Sequence, residues 1–177
     1  MGLRLFIGIT LPEEIKDSIE RICFGIPKVN WIKKENLHLT IKFIGEVETD
    51  VLGISEVLKK IEFNPFDIQL KSVGVFKSKF QSVLWAGVEN NPELEKLNQK
   101  INSNLNQLGI PSEKQSFHPH ITLARLKEVN WNKVNHYLDE FKLFETVPFA
   151  INEFQLFSSV LSPKGSIYTV EESFKCK

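Results

Sequence analysis

Cysteine is scarce in this 177-residue chain, with Cys23 and Cys176 the only two. They form no C-x-x-C pair, so a disulfide framework and a cysteine-rich zinc or redox motif are both excluded. Both read as free thiols of a reducing compartment. Charge of one sign is missing as well: 22 basic residues balance 22 acidic ones. No global field draws the protein to nucleic acid, which argues against a long sequence-independent binding groove. A few local cations can still hold a small anionic end-group. No apolar run approaches the ~20 residues needed to cross a bilayer. The apolar start leads into Leu11-Pro12-Glu13-Glu14 without a small-residue cleavage site, and Phe6 stands where an acylation signal after Met1-Gly2 wants Ser or Thr. The expectation is a cytoplasmic protein with no membrane attachment.

What is present is an ordinary globular balance, 42% hydrophobic and 25% charged residues. Alternation from Leu3 to Ile9 predicts a strand. Pro12 and the two acids after it open a helix over 12–24, with Ile15, Ile19, Ile22 and Cys23 on one face. Leu37 to Ile44 is a strand closed by Gly45. Thr49 or Asp50 caps a helix running to Ile61. Strands follow over 66–76 and 82–88, and Asn91-Pro92-Glu93 opens a third helix whose buried face runs from Leu94 to Leu108. A strand over 117–126, a weaker helix over 130–141 and strands over 147–157 and 167–174 complete the chain, the last two separated by a Ser162-Pro163-Lys164-Gly165 turn. The order is mixed α+β.

The informative feature is a tetrad written twice. His38-Leu39-Thr40-Ile41 and His120-Ile121-Thr122-Leu123 share the form His-apolar-Thr-apolar, nearly half a chain apart. Residues i and i+2 of a strand point to one face. Each His therefore shares a face with its Thr, while Leu39, Ile41, Ile121 and Leu123 point to the core. A single H-x-T on a strand is more often a solvated face than a site. Two copies, using two of only four histidines, favour a functional reading.

That pairing suits phosphodiester chemistry without a metal. A base must take a proton from the attacking water, an acid must protonate the leaving oxygen, and donors must hold the non-bridging oxygens as charge builds. Histidine performs either proton transfer near neutral pH. Threonine hydroxyls donate to phosphoryl oxygens without adding charge.

These residues resemble the 2H phosphoesterases, and within them the RNA 2′,3′-cyclic phosphodiesterases, also called 2′-5′ RNA ligase-like proteins. The likeness runs through Arg4-Leu5-Phe6-Ile7, Leu11-Pro12, Trp31, Leu37 to Glu46, Leu84 to Val88, Phe117 to Arg125 and Leu161 to Tyr168. Ser166 replaces a proline usual in that closing segment. The resemblance implies one α+β domain over residues 1–177 made of two intertwined, pseudo-symmetric lobes. Each lobe is an antiparallel sheet with helices on its outer face, and one H-x-T from each faces a central cleft. It implies hydrolysis of a 2′,3′-cyclic phosphate on RNA ends or small nucleotides to a 2′-phosphomonoester, in some members with reverse 2′-5′ ligation. It further implies no metal or other cofactor, and a monomer without an obligate protein partner. By the same analogy His38 is the acid and His120 the base, a near-symmetric assignment that a flipped substrate would exchange. Thr40 and Thr122 would hold the phosphate.

Arg125 follows the second tetrad and offers charge-assisted donors, although its odd spacing from His120 places it on the opposite face unless the strand bends. Lys42 has the parity of His38 and Thr40, which directs it to the cleft or to solvent. His118 borders the same face beyond Pro119, and His136 reads as a surface residue. Phe6, Phe43, Phe76, Trp85 and Phe117 are available for base stacking, with core packing the commoner role. Lys77 and Lys79 beside Phe76 are either a phosphate-attracting pair or a basic loop. Two rival readings stand beside the enzyme: a nucleotide-binding module that uses the same cleft without turnover, and a zinc site from His38, His118, His120 and a cysteine, whose ligand spacing is poor.

Overall fold

The computed structural model describes residues 3–47, 51–113, 115–162 and 165–177. β1 (Leu3–Thr10) leads into α1 (Glu13–Glu20), which buries Ile15 and Ile19. This helix stops four residues short of the stretch expected from its apolar spacing. The N–H groups of Ile22 and Cys23 turn back to carbonyls three residues earlier, and the Ile22 carbonyl accepts from the Tyr137 hydroxyl at 2.8 Å instead of continuing the helix. A two-residue strand, β2 (Asn30–Trp31), and a 3₁₀ turn, Lys34–Asn36, then precede β3 (His38–Val47). α2 (Val51–Leu58) follows; the caps expected at Thr49 or Asp50 lie outside the described residues.

The stretch 66–76 is not one strand. β4 (Phe66–Ile68) and β5 (Leu70–Phe76) enter different sheets, because Thr146 engages both backbone groups of Leu70: its hydroxyl accepts from the Leu70 N–H and its own N–H donates to the Leu70 carbonyl. β6 (Ser82–Val88) and α3 (Pro92–Asn106) follow as expected, with Asn91 capping the helix through its side chain. β7 (His120–Leu126) begins at His120 rather than Phe117, with Pro119, which has no N–H for a ladder, just before it. α4 (Trp131–Glu140) is capped by Asn130. The stretch 147–157 divides into β8 (Phe149–Ile151), paired with β4, and β9 (Glu153–Ser162); β10 (Gly165–Lys175) ends the chain. Pro163 and Lys164 of the expected turn lie outside the described residues.

The main sheet has the order β10-β9-β1-β3-β7-β6-β5, with β2 attached to β7, and its pairings are antiparallel. It consists of two antiparallel half-sheets, β10-β9-β1-β3 and β7-β6-β5, that meet through one residue pair, Leu39 opposite Ile121. The C-terminal strands complete the N-terminal half-sheet, and β2 from the N-terminal half pairs with β7 of the other, so the halves interlock. Leu5, Ile7, Ile9, Leu39, Ile41, Ile121 and Leu123 are buried together with Ile15, Ile19, Leu94, Leu97 and Ile101 of the helices. Each such side chain contributes about 1.5–3 kcal/mol. The opposite face carries the histidines and threonines of the tetrads among aromatic rings such as Phe6, Phe43 and Tyr168, and the cleft forms there.

Candidate active site

The single β3–β7 pair is the centre of the site. With Leu39 facing Ile121 in antiparallel register, the pairing direction carries Thr40 past His120 and His38 past Thr122. Both His-Thr pairs therefore fall on one face, related by a local twofold through the Leu39–Ile121 pair. His38 and Thr40 from β3 and Thr122 and Arg125 from β7 line one cavity of about 580 Å³. Phe6, Phe43 and Tyr168 form part of its apolar wall. His120 is not among the lining side chains; it is half-buried beside them, and a charge on it is felt at His38.

The two histidines are held alike. His38 Nδ1–H donates to the Asn36 carbonyl and His120 Nδ1–H to the His118 carbonyl, each at 2.7 Å and each two residues upstream. A carbonyl can only accept, so these bonds fix the Nδ1–H tautomer and leave Nε2 of each ring with a free lone pair. The rings are also packed. His38 stands 4.9 Å from Phe6 and edge-on to Tyr168 at 5.0 Å; His120 stands edge-on to Phe76 at 4.9 Å. Asn36 adds a second tie, its side-chain amide donating to the Ser166 carbonyl at 3.0 Å, which joins the 3₁₀ turn to β10.

Burial pushes both imidazoles below the ordinary histidine value of 6.5. The Asn36 carbonyl draws His38 part of the way back, and the charge on His120 lowers it further. The His118 carbonyl and the charge of the His118 ring act on His120 in the same opposed senses.

Bulges decide what else reaches the cleft. Thr122 pairs with Trp85, but Ala124 pairs with Leu84, so β7 carries one extra residue between them. The bulge reverses the alternation. Leu123 and Ala124 are both buried, and Arg125 returns to the face of Thr122, where it lines the cavity and donates to Gln81 Oε1 at 3.4 Å. β3 has a bulge at the matching place: Gly8 pairs with Thr40 and Ile7 with Lys42. Lys42 therefore turns away from the cleft, contrary to its even spacing. It is 3% exposed and donates to the Pro111 carbonyl at 2.8 Å. Phe43, the counterpart of Arg125, comes to the cleft side with 63% of its surface exposed. The Ile41 carbonyl at the bulge accepts from the buried Asn98 amide of α3 at 3.0 Å.

Other expected residues are placed elsewhere. His118 is exposed and packs on Phe76 and Trp85, at 5.2 and 5.1 Å between rings, and its backbone rather than its ring serves His120. His136 is exposed on α4. Lys77 sits over the Trp131 ring and Lys79 over Phe80. Phe6 is buried, so it is a wall and not a stacking face. Among the described residues no group of three or more His, Cys, Asp or Glu is placed to hold a metal ion, and the zinc alternative finds no ligand set there. Composition and spacing missed Asn36, Gln81 and Asn98. Of these only Asn36 had a signal, its place two residues before a tetrad histidine, where His118 precedes the other.

Comparison with known proteins gives the family and the fold. The family model of the 2′-5′ RNA ligase superfamily matches residues 11–161. A Methanocaldococcus jannaschii protein named RNA 2′,3′-cyclic phosphodiesterase is 34% identical over 95% of this chain and 98% of its own. A Thermotoga maritima protein of the same name is 35% identical over 95% of this chain and 92% of its own. Among solved structures, Escherichia coli LigT in complex with 3′-AMP superimposes with a TM-score of 0.77 at 25% identity, over 100% of this chain and 99% of that one. The chain belongs to the 2′-5′ RNA ligase superfamily, within the 2H phosphoesterases, and has their α+β fold.

Proposed function

We propose that this member of the family, an RNA 2′,3′-cyclic phosphodiesterase, opens a 2′,3′-cyclic phosphate on an RNA end or a nucleotide to the 2′-phosphomonoester by two-histidine acid-base catalysis. The observation that carries this reading is the paired anchoring of His38 and His120, each with Nδ1 committed to a carbonyl and Nε2 free. Water attacks phosphorus as Nε2 of His120 takes its proton. The P–O3′ bond breaks as Nε2–H of His38 protonates the leaving oxygen, and exchange with solvent restores the pair. One proton is shared between the two rings in the working form, so they titrate as a unit. The bound anion raises both imidazole pKa values and keeps that proton in place near neutral pH. The Thr40 and Thr122 hydroxyls donate to the non-bridging oxygens, and the Arg125 guanidinium adds charge-assisted donors. Replacing the water by the 5′-hydroxyl of a second RNA end would give a 2′-5′ linkage through the same proton transfers.

The names of the relatives and the family membership support this reading. The test is incubation with a 2′,3′-cyclic nucleotide in EDTA, with the product resolved as 2′- or 3′-monophosphate. A 2′-phosphate is expected. A 3′-phosphate would overturn the assignment of acid and base. Binding without any product would turn the cleft into a nucleotide-holding module, and activity lost with stoichiometric zinc would overturn the metal-free mechanism.

A further inference from the structure

A second cavity, of about 670 Å³, adjoins the first. The two share Ile32, Asn36, Arg125, Leu161, Ser166 and Tyr168, so they form one trough, and His38 lines only the first of them. The volume falls in the ~300–1,000 Å³ range of small-ligand sites. None of the described residues lining this second cavity is a carboxylate; its charged side chains are Lys33 and Arg125. Lys33 makes no ion pair among the described residues, whereas its neighbour Lys34 is engaged by Glu13 and Asp17. Trp31 also lines the cavity, its ring braced by Tyr137 at 5.9 Å. An unpaired cation beside an aromatic face is the chemistry that holds single-stranded nucleic acid. The far end of the first cavity is unlike it. There Arg4 is already bonded to Glu46 at 3.1 Å, and the carboxylate opposes a polyanion.

We propose that this second cavity seats the nucleotide immediately 5′ to the one bearing the cyclic phosphate, with Lys33 holding the connecting phosphodiester and Trp31 offering a face to the base. The proposal rests on the hydrolytic reading above and extends it to substrate choice: an RNA end is preferred to a free cyclic nucleotide. Arg125, in the wall common to both cavities, marks the point where the chain passes from one to the other.

The experiment compares uridine 2′,3′-cyclic phosphate with the trinucleotide UpUpU ending in the same group, in the native protein and in Lys33→Glu and Lys33→Ala. The trinucleotide should have a KM about fivefold or more lower at low salt, the size of effect one phosphate contact or one stacked base supplies. Lys33→Glu should abolish that advantage while leaving the mononucleotide constants unchanged, since Lys33 does not line the first cavity. Lys33→Ala should flatten the salt dependence of the trinucleotide KM by about 0.7 in log–log slope, one single-strand contact. Equal KM values for the two substrates, or an advantage that survives both variants, would overturn the subsite while leaving hydrolysis intact. A native protein that turns over neither substrate would fail the hydrolytic reading itself, and this assay separates the two failures.

Discussion

Asn98 lies on α3, buried against the outer face of the sheet, and lines neither cavity, yet it should control the cleft. Its amide donates at 3.0 Å to the Ile41 carbonyl, which the β3 bulge takes out of the regular ladder. Asn98→Ala removes the donor and leaves that carbonyl buried without it. The cost of an unsatisfied buried acceptor is about 1–3 kcal/mol. For a chain of this size that corresponds to a Tm lower by roughly 2–12 °C. The larger consequence is geometric. Without the bulge the alternation after Thr40 reverts, Lys42 swings toward the cleft, and Phe43 is driven to the buried side. Activity on a cyclic nucleotide should therefore fall along with stability, although no cleft-lining group has been changed. Asn98→Asp should be worse, because it sets a carboxylate against a carbonyl. Thermal unfolding and steady-state turnover of the two variants provide the measurement. A Tm within about 1 °C of the native protein together with native turnover would refute the idea that this amide holds the bulge.

Four further outcomes are expected. His38→Gln and His120→Gln should each lower turnover by at least about 10² with the fold intact by circular dichroism, and Thr40→Val and Thr122→Val should cost less, about 1–3 kcal/mol in transition-state stabilisation from kcat/KM. Because both imidazole pKa values are lowered in the free protein, the alkaline limb of kcat/KM, where the acid loses its proton, should fall below the ordinary 6.5, while the limb of kcat moves upward with the anion bound; a kcat/KM limb above that value would contradict the burial argument. The same shifts give a sign for stability: as pH drops below 6.5, the unfolded chain takes up protons that folded His38 and His120 refuse, so Tm should decline there and decline less in the His38→Gln variant. Finally, a Cβ at Gly74 would sit 2.2 Å from the Trp85 ring, which packs on His118 at 5.1 Å and lies 6.4 Å from His120. Gly74→Ala should displace the indole, shift tryptophan fluorescence and reduce turnover, and an unchanged spectrum with full activity would show that the ring has room to spare.

The alternation of His, Leu, Thr and Ile is enough by itself to put each histidine with its threonine on one strand face and the apolar residues on the other, because side-chain direction in a strand has a period of two. The repeated tetrad, the capped helix at Asn91 and the strand over 82–88 were legible for the same reason: each is set by neighbours within a few residues. The face reached by a residue beyond the tetrad was not. Lys42 and Arg125 both lie where simple parity fails, since an extra residue in β3 and in β7 reverses the alternation, and a bulge depends on the partner strand and on groups such as Asn98 that arrive from far along the chain. The splitting of 66–76 has the same origin, with Thr146 taking the Leu70 N–H and carbonyl that a local reading assigns to a continuing ladder. The repeated tetrad by itself singles out the candidate groups, His38, Thr40, His120 and Thr122. Which of them meet was decided by the tertiary structure, through the one antiparallel contact of Leu39 with Ile121 and the backbone carbonyls that turn both imidazoles the same way.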